Sequence, residues 1–431
     1  MASSRKSQQS PKPVMRIAVA FSGGLDSVVL LDTVCKAQAK NQSAEIFAFH
    51  IHHGLQKQAD DWLIFCEKLA KKYKIHFDFR LLHLTDVEEG NIEARARAGR
   101  YEALSELCNE YGIDDLLLAH HQNDQAETVL LQLLRGAGVA GASGMPNRRT
   151  LKAKDGQITL WRPLLNQSKK ELEAYAKEHR LKWIEDPSNQ NTQYRRNAIR
   201  KSIIPALEKI QPEAIANLAR SAGLLSEAQV LLDRLAKQDG KTILLKNGLL
   251  LKPLLELAKQ DLPAANNLLR FWLKTNGLTM PSQERITAWW HDLQSVKKGA
   301  QLEWVHDDRV IRLWRDILQI QEEVTGNWVF KTIATTSKTP GLPTHWVKEA
   351  QKKGLITQKE RSGSEKIQIK ANTPRKTLKN LFQENSIPPW QRKAPLLYIN
   401  GELIAVAGVG ISHTHLVSIG PRLRPEWQQK A

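Results

Sequence analysis

Residues 16–34 read RIAVAFSGGLDSVVLLDTV, and this stretch constrains the fold more than any other. Ile17 to Phe21 is an apolar run of strand length. Ser22-Gly23-Gly24 forms a tight turn, and from Leu25 the apolar residues Leu25, Val28 and Val29 recur at helical spacing. A strand that passes through a glycine turn into a helix presents backbone N–H groups and a positive dipole end to an anion. The loop lacks the lysine of the G-x-x-x-x-G-K-S/T phosphate loop. The next basic residue is Lys36, about three turns further along the helix.

The same strand-then-helix rhythm continues through the first half of the chain. EIFAFHI precedes a helix over about 57–73, IHFDFRLL one over 91–111, and DDLLLAH one over 123–135. Such alternation predicts an α/β fold with a doubly wound parallel sheet, whose ligands bind at the C-terminal ends of the strands. The polar residues Ser22–Ser27, His50–His53 and His120–Glu127 fall at those ends. The expected organisation is a disordered tail at 1–13, a catalytic domain at 14–215, a mostly helical middle domain at 216–330 and a small α+β domain at 345–425. A basic helix lies near 190–220, and QLEWVHDDRVIRLWRDILQI alternates like strands. KTIATTSKTPGLPTH, near 331–345, reads as a linker or turn region. In the last domain a helix stops at Pro388-Pro389, and Asn400-Gly401 marks a hairpin.

Charge narrows the class of partner. The formal net charge is +18, and residues 331–431 hold 17 basic against 6 acidic residues. An excess of that size points to a polyanion. Cys35, Cys66 and Cys108 form no C-x-x-C pair, which predicts a reducing, cytoplasmic setting without a zinc or disulfide framework. No apolar run approaches the roughly 18 residues that span a bilayer. GAGVAG at 136–141 has the letters of a dinucleotide fingerprint but follows a helix instead of a strand, so it reads as a glycine-rich loop or lid.

Read together, SGGLDS resembles the PP-loop of the N-type ATP pyrophosphatases. That resemblance implies ATP cleavage between the α- and β-phosphates, with Ser22, Gly23, Gly24, Leu25, Asp26 and Ser27 at the nucleotide and Asp26 as a Mg²⁺ ligand. Further blocks resemble the tRNA(Ile)-lysidine synthetases: HHGL at 52–55, NIEARAR at 91–97 and AHHQNDQAET at 119–128. LLRGAGVAGASGM, RPLL (162–165), EDPSN (185–189), RRNAIR (195–200) and TLKNLFQENSIPPWQR continue the match over most of the chain. Gln56 stands where the family usually has arginine.

The resemblance implies that ATP adenylates the wobble cytidine of an isoleucine tRNA with a CAU anticodon, after which free L-lysine displaces AMP. It gives Asp124 and Glu127 to the lysine ammonium, Arg97 to the α-phosphate and His120 to the nucleotide, and it leaves monomer or homodimer open. From the residues alone, Asp124 and Glu127 are equally a D-x-x-E capping box with both carboxylates on backbone N–H groups. Glu93 and Arg97 at i, i+4 are equally a surface ion pair. Trp289, Trp290 and Trp304 read as core. A PP-loop tRNA thiolase and a non-catalytic RNA-binding protein are the rival functions.

Overall fold

The structure is a computed structural model that describes residues 15–41, 44–52, 58–82, 92–153, 156–187, 195–296, 302–321, 326–334 and 336–429. The expected tail at 1–13, His53 to Gln56, Asn91, Ser188 and Asn189 lie outside the described residues, as does the side chain of Glu93. The chain divides into two compact units, Met1–Leu232 and Asp233–Ala431.

In the first unit, β1 (Met15–Ala20), α1 (Leu25–Asn41), β2 (Ala44–His52), α2 (Ala59–Tyr73) and β3 (His76–Leu81) follow the expected alternation. Next come α3 (Ile92–Glu110), β4 (Asp115–Leu117), α4 (Gln122–Leu133), α5 (Val139–Ala142), β5 (Arg148–Ala153) and β6 (Gly156–Trp161). The strands form one six-stranded sheet in the order β3-β2-β1-β4-β6-β5. All neighbours are parallel except β5, which pairs antiparallel with β6.

Side-chain alternation along β1 sends successive residues into different cores. Val19 joins Val28, Leu31 and Cys66 under α1 and α2, together with Leu172 and Ala176 of α6 (Lys169–Glu178). Ala18 joins Phe49, Leu104, Leu107 and Leu160 under α3. Helices on both faces explain why β2 is buried along most of its length. The basic stretch near 190–220 forms α7 (Arg195–Ala198), a π turn over Ile199–Ile203, α8 (Ile204–Ile210) and the start of α9 (Ala214–Asp239).

The glycine-rich segment is not a loose lid. Gly138 caps the single turn of α5, and buried Gln125 of α4 clamps the chain beyond it. The Gln125 amide donates to the Met145 carbonyl (3.0 Å) and accepts from the Met145 N–H (2.7 Å). Two good bonds to one buried backbone unit fix the segment against α4.

The second unit begins with β7 (Leu244–Leu245), β8 (Gly248–Leu250), α10 (Leu251–Gln260), α11 (Leu262–Thr275) and α12 (Gln283–Ser295). It continues with β9 (Leu302–His306), β10 (Arg309–Trp314) and β11 (Ile317–Ile320), which complete a sheet in the order β7-β8-β11-β10-β9. Trp289, Trp290 and Trp304 are core, with Trp289 and Trp304 stacked at 4.7 Å. The expected linker is corrected: its first residues complete β12 (Gly326–Ile333), and β13 (Leu342–Pro343) follows. Both pair with the last strand, β20 (Arg422–Gln429). Between them lie α13 (Thr344–Lys352), β14 (Ile356–Lys359), β15 (Lys366–Ile367), β16 (Lys376–Thr377) and α14 (Leu378–Glu384). Then come β17 (Leu396–Ile399), β18 (Glu402–Val406) and β19 (Gly410–Ile411). Among the described residues, no helix is long and apolar enough to cross a membrane.

Candidate active site

β1 and β4 are neighbours, with Val19 opposite Leu117, so the turns that follow them emerge side by side. Connections from β1 and β4 run to opposite sides of the sheet, which makes this the topological switch point where ligands bind in such folds.

The first turn is held by its own hydroxyls. Ser22 Oγ and Ser27 Oγ are 3.1 Å apart, and Ser27 Oγ donates to the Gly24 carbonyl (3.0 Å). Gly23 has φ +82°, and a Cβ there would stand 2.9 Å from both Cys66 Sγ and Ile184 Cδ1. The Gly23 carbonyl also accepts from Ile184 N (2.9 Å). Gly24 is different: a Cβ would find nothing closer than Ser22 Oγ at 3.6 Å. Gly23 is therefore required by the fold, and Gly24 leaves the backbone open to a close approach from outside. The N–H groups of the first turn of α1 have no intrahelical acceptor and form the anion-binding end. Behind the turn, His50 Nδ1 meets the Phe21 carbonyl at 2.9 Å, and burial lowers its pKa.

Asp26 follows in the first turn of α1. Its Oδ1 is buried without a hydrogen-bond partner, and its Oδ2 lies 3.6 Å from His121 Nε2. Among the described residues there is no cluster of three or more His, Cys, Asp or Glu side chains that could hold a metal ion. One free carboxylate oxygen beside an anion-binding helix end nevertheless fits Mg²⁺, which takes one or two carboxylates and completes its shell with phosphate oxygens and water.

His121 is the N-cap of α4. Its Nδ1 accepts from Asn123 N (3.2 Å), and its own N–H donates to Asp124 Oδ2 (3.0 Å). This is a capping box, but not the one expected from Asp124 and Glu127. Only one oxygen of Asp124 is spent on backbone, and Glu127 spends its oxygens on two arginines instead. Arg196 Nε donates to Glu127 Oε2 (2.7 Å) and Arg196 Nη2 to Asp124 Oδ1 (3.1 Å). Arg200 Nε donates to Glu127 Oε1 (2.6 Å) and Arg200 Nη2 to Glu127 Oε2 (2.9 Å). Glu127 is 0% exposed, and the two arginines offset the cost of burying its carboxylate.

The electrostatics divide the two adjacent histidines. Burial opposes charge on His121, but Asp26 and Asp124 outweigh it and raise its pKa. Burial lowers the pKa of His120, and Arg162, Arg196 and Arg97 reinforce this against the pull of Asp124. Arg162 Nε donates to His120 Nδ1 (3.2 Å), a bond that requires the unprotonated nitrogen. Asp124 is held below the ordinary carboxylate value: burial acts to raise it, and His121 and Arg196 prevail.

The structure thus brings Asp26, His121, Asp124 and Glu127 into one chain of contacts beside the glycine turn. His120 feels this group through the charge of Asp124, and its own hydrogen bond is to Arg162. Arg97 lies on α3 with its guanidinium 5.6 Å from the Tyr101 ring, and it reaches His120 only through its charge. Sequence reasoning gave no role to Arg162, Arg196 or Arg200. The RPLL and RRNAIR blocks contain them without giving them a role, and the R-x-x-x-R spacing of Arg196 and Arg200 on one helical face was a further signal.

The comparisons with known proteins cover the whole arrangement. Residues 1–207 match the PP-loop domain family, 253–319 the TilS substrate binding domain and 356–427 the TilS substrate C-terminal domain. The chain is 34% identical to the tRNA(Ile)-lysidine synthase of Burkholderia pseudomallei, over 96% of this chain and 93% of that one. It is 34% identical to that of Nitrosomonas europaea, over 95% and 91%, and 36% identical to that of Legionella pneumophila strain Paris, over 93% and 93%. A solved U34-tRNA thiolase from Methanococcus maripaludis is 20% identical, with a TM-score of 0.43 over 49% of this chain and 72% of that one.

Proposed function

The chain belongs to the tRNA(Ile)-lysidine synthase family, and from that premise we propose that it joins free lysine to carbon 2 of the wobble cytidine of a CAU-anticodon isoleucine tRNA. In this reading the O2 of cytidine attacks the α-phosphate of ATP, and pyrophosphate leaves. The lysine ε-amine then attacks carbon 2, AMP departs with the former O2, and the amine gives up its extra proton. The product reads AUA in place of AUG, and the reaction belongs in the cytoplasm, where its three substrates meet.

Each half of the reaction has its residues. Ser22, Ser27 and the N–H groups of Gly24 to Ser27 hold the pyrophosphate end of ATP, and the positive end of α1 stabilises the charge that grows there. Asp26 would hold Mg²⁺ through its free Oδ1. Bound there, the ion supplies neutralising charge on the phosphate oxygens. Arg97 and neutral His120 serve the nucleotide. Asp124 and Glu127 receive the lysine ammonium, which must exchange with Arg196 and Arg200 to reach them. One of these carboxylates, Asp124 or Glu127, is placed to take the proton that the ammonium must lose before the amine can attack.

The observation that carries this reading is the place of His121. Its Nε2 stands 3.6 Å from Asp26 and 3.5 Å from Asp124, linking the pyrophosphate side of the site to the carboxylates for lysine. Thiolase chemistry lacks comparable support. Burial pushes all three thiols up to about 12, and Cys66 and Cys108 are sealed in cores on opposite faces of the sheet. The test is incubation with ATP, radiolabelled lysine and bulk tRNA. Label should enter RNA only when ATP is present, and its failure to do so would sink the reading.

A further inference from the structure

Four arginines from separate stretches of the chain, two of them three residues apart, meet in the second unit. Arg312 lies on β10 and Arg315 in the turn after it, within the segment matched as a substrate binding domain. Arg361 follows β14 and Arg392 follows α14, within the segment matched as the C-terminal domain. The Arg315 guanidinium bonds Ser386 Oγ and reaches the Gln383 carbonyl (3.5 Å), joining the two segments.

Aromatic rings hold these guanidiniums side by side. Arg312 lies 5.2 Å from the Trp390 ring, and Arg361 and Arg392 lie 5.4 Å and 5.8 Å from the ring of Phe382. Among the described residues, Glu303 is the one carboxylate that pairs with any of the four, at 2.8 Å from Arg312. The Nε atoms of Arg312 and Arg361 are buried without a hydrogen-bond partner. Burial, then the charges of Arg361 and Arg315, lower the pKa of Arg392. Packed like charges without counter-ions are unfavourable until an anion joins them.

We propose that this arginine–aromatic cluster is a composite phosphate-binding subsite for the substrate RNA, complete only where the two family segments dock. It rests on the tRNA reading above and adds to it a site that neither segment holds alone. A guanidinium matches a phosphate in geometry and charge. Guanidiniums cover the faces of Trp390 and Phe382, so the site reads backbone and not base. An RNA is favoured over an acidic polypeptide because the tRNA reading above supplies one, and the charge excess, 17 basic against 6 acidic residues over 331–431, is concentrated in this unit.

The experiment measures tRNA affinity against salt for the full chain and for the double variant Arg361→Gln with Arg392→Gln. Each phosphate contact contributes about 0.7 to 0.9 to the slope of log K against log salt. The double variant should therefore lose roughly 1.4 to 1.8 of slope, and the Arg→Lys pair should keep it. If the Gln pair does not fold, modification of Arg361 and Arg392 by phenylglyoxal replaces it, with protection expected when tRNA is bound. An unchanged slope, or equal modification with and without tRNA, overturns the proposal. So does a lowered melting temperature with an unchanged slope, which marks a clamp between segments. Competition by polyglutamate as strong as by tRNA would assign the site to an acidic polypeptide. Lysine incorporation by the unaltered chain is read in parallel, so that failure of the catalytic reading is seen separately.

Discussion

Gly23 and Gly24 stand next to each other and answer to different demands. An alanine at 23 must adopt φ +82° and press on Cys66 and Ile184. Strain and overlap together cost roughly 2–4 kcal/mol. Gly24→Ala meets only ordinary van der Waals contacts and should melt like the parent, yet its methyl obstructs the approach of phosphate to the backbone, so ATP-dependent pyrophosphate release should fall. Equal melting losses in the two variants would refute the distinction. Asp124 and Glu127 separate in a similar way. An Asn side-chain oxygen can still accept from the His121 N–H, so Asp124→Asn keeps that bond of the capping box but loses charge against Arg196. It should cost modest stability and greatly raise the lysine concentration needed for incorporation. Glu127→Gln leaves two arginines facing a neutral amide and should cost about 3–5 kcal/mol. The sign of the pH effect is fixed by the lowered pKa of Asp124. Its contribution is complete above the ordinary carboxylate value of about 3.9 and is lost as pH falls through the native value. Asp124→Asn should therefore shallow the acid limb of unfolding. Wild-type lysine dependence in that variant would return the residue to the helix cap.

Turns show how local chemistry is read and misread. Asn400 and Gly401, with φ of 52° and 80°, form the β17–β18 hairpin turn that their identities announced. Asp307-Asp308 and Arg315-Asp316 adopt the same left-handed pair of angles with residues that give no such notice. There the sheet pairing on both sides imposes the turn, and the turn at Arg315 delivers a guanidinium to another segment. The stretch read as a linker was misjudged for a related reason: β12 is made a strand by β20, about 90 residues later, and Thr/Pro/Gly content is silent on that partner. β20 lies between β12 and β13 and pairs with eight consecutive residues of β12, from Gly326 to Ile333. A chain ending at residue 421 should therefore expose 326–343 to protease and lower the melting midpoint of the second unit. Unchanged protection of that segment would show that β20 is dispensable. Charge substitution, and not truncation near 345, is accordingly the sound way to probe RNA binding by this unit.

The whole molecule comprises two units, each with its own core. Nucleotide bound at the glycine turn stabilises the unit that holds it, by about 2.7 kcal/mol at a hundredfold excess over Kd. Calorimetry with ATP and Mg²⁺ should shift one melting transition and leave the other in place, and Asp26→Ala should abolish the shift. A shift of both transitions together would show the units to be coupled. The sequence by itself determined the parallel α/β sheet, the glycine turn that leads into α1 and the large positive charge. Those features are written in contiguous residues or in net composition, where hydrophobic period, glycine placement and charge act locally. Only the tertiary structure decided that Arg196 and Arg200 neutralise Glu127, that His121 and not Asp124 caps α4, and that four arginines from two segments share one surface. The arginine contacts depend on atoms within about 3–6 Å that are separated by many residues of chain, and no local period or spacing encodes such a meeting, whereas the cap is local and turned on which residue opens the helix.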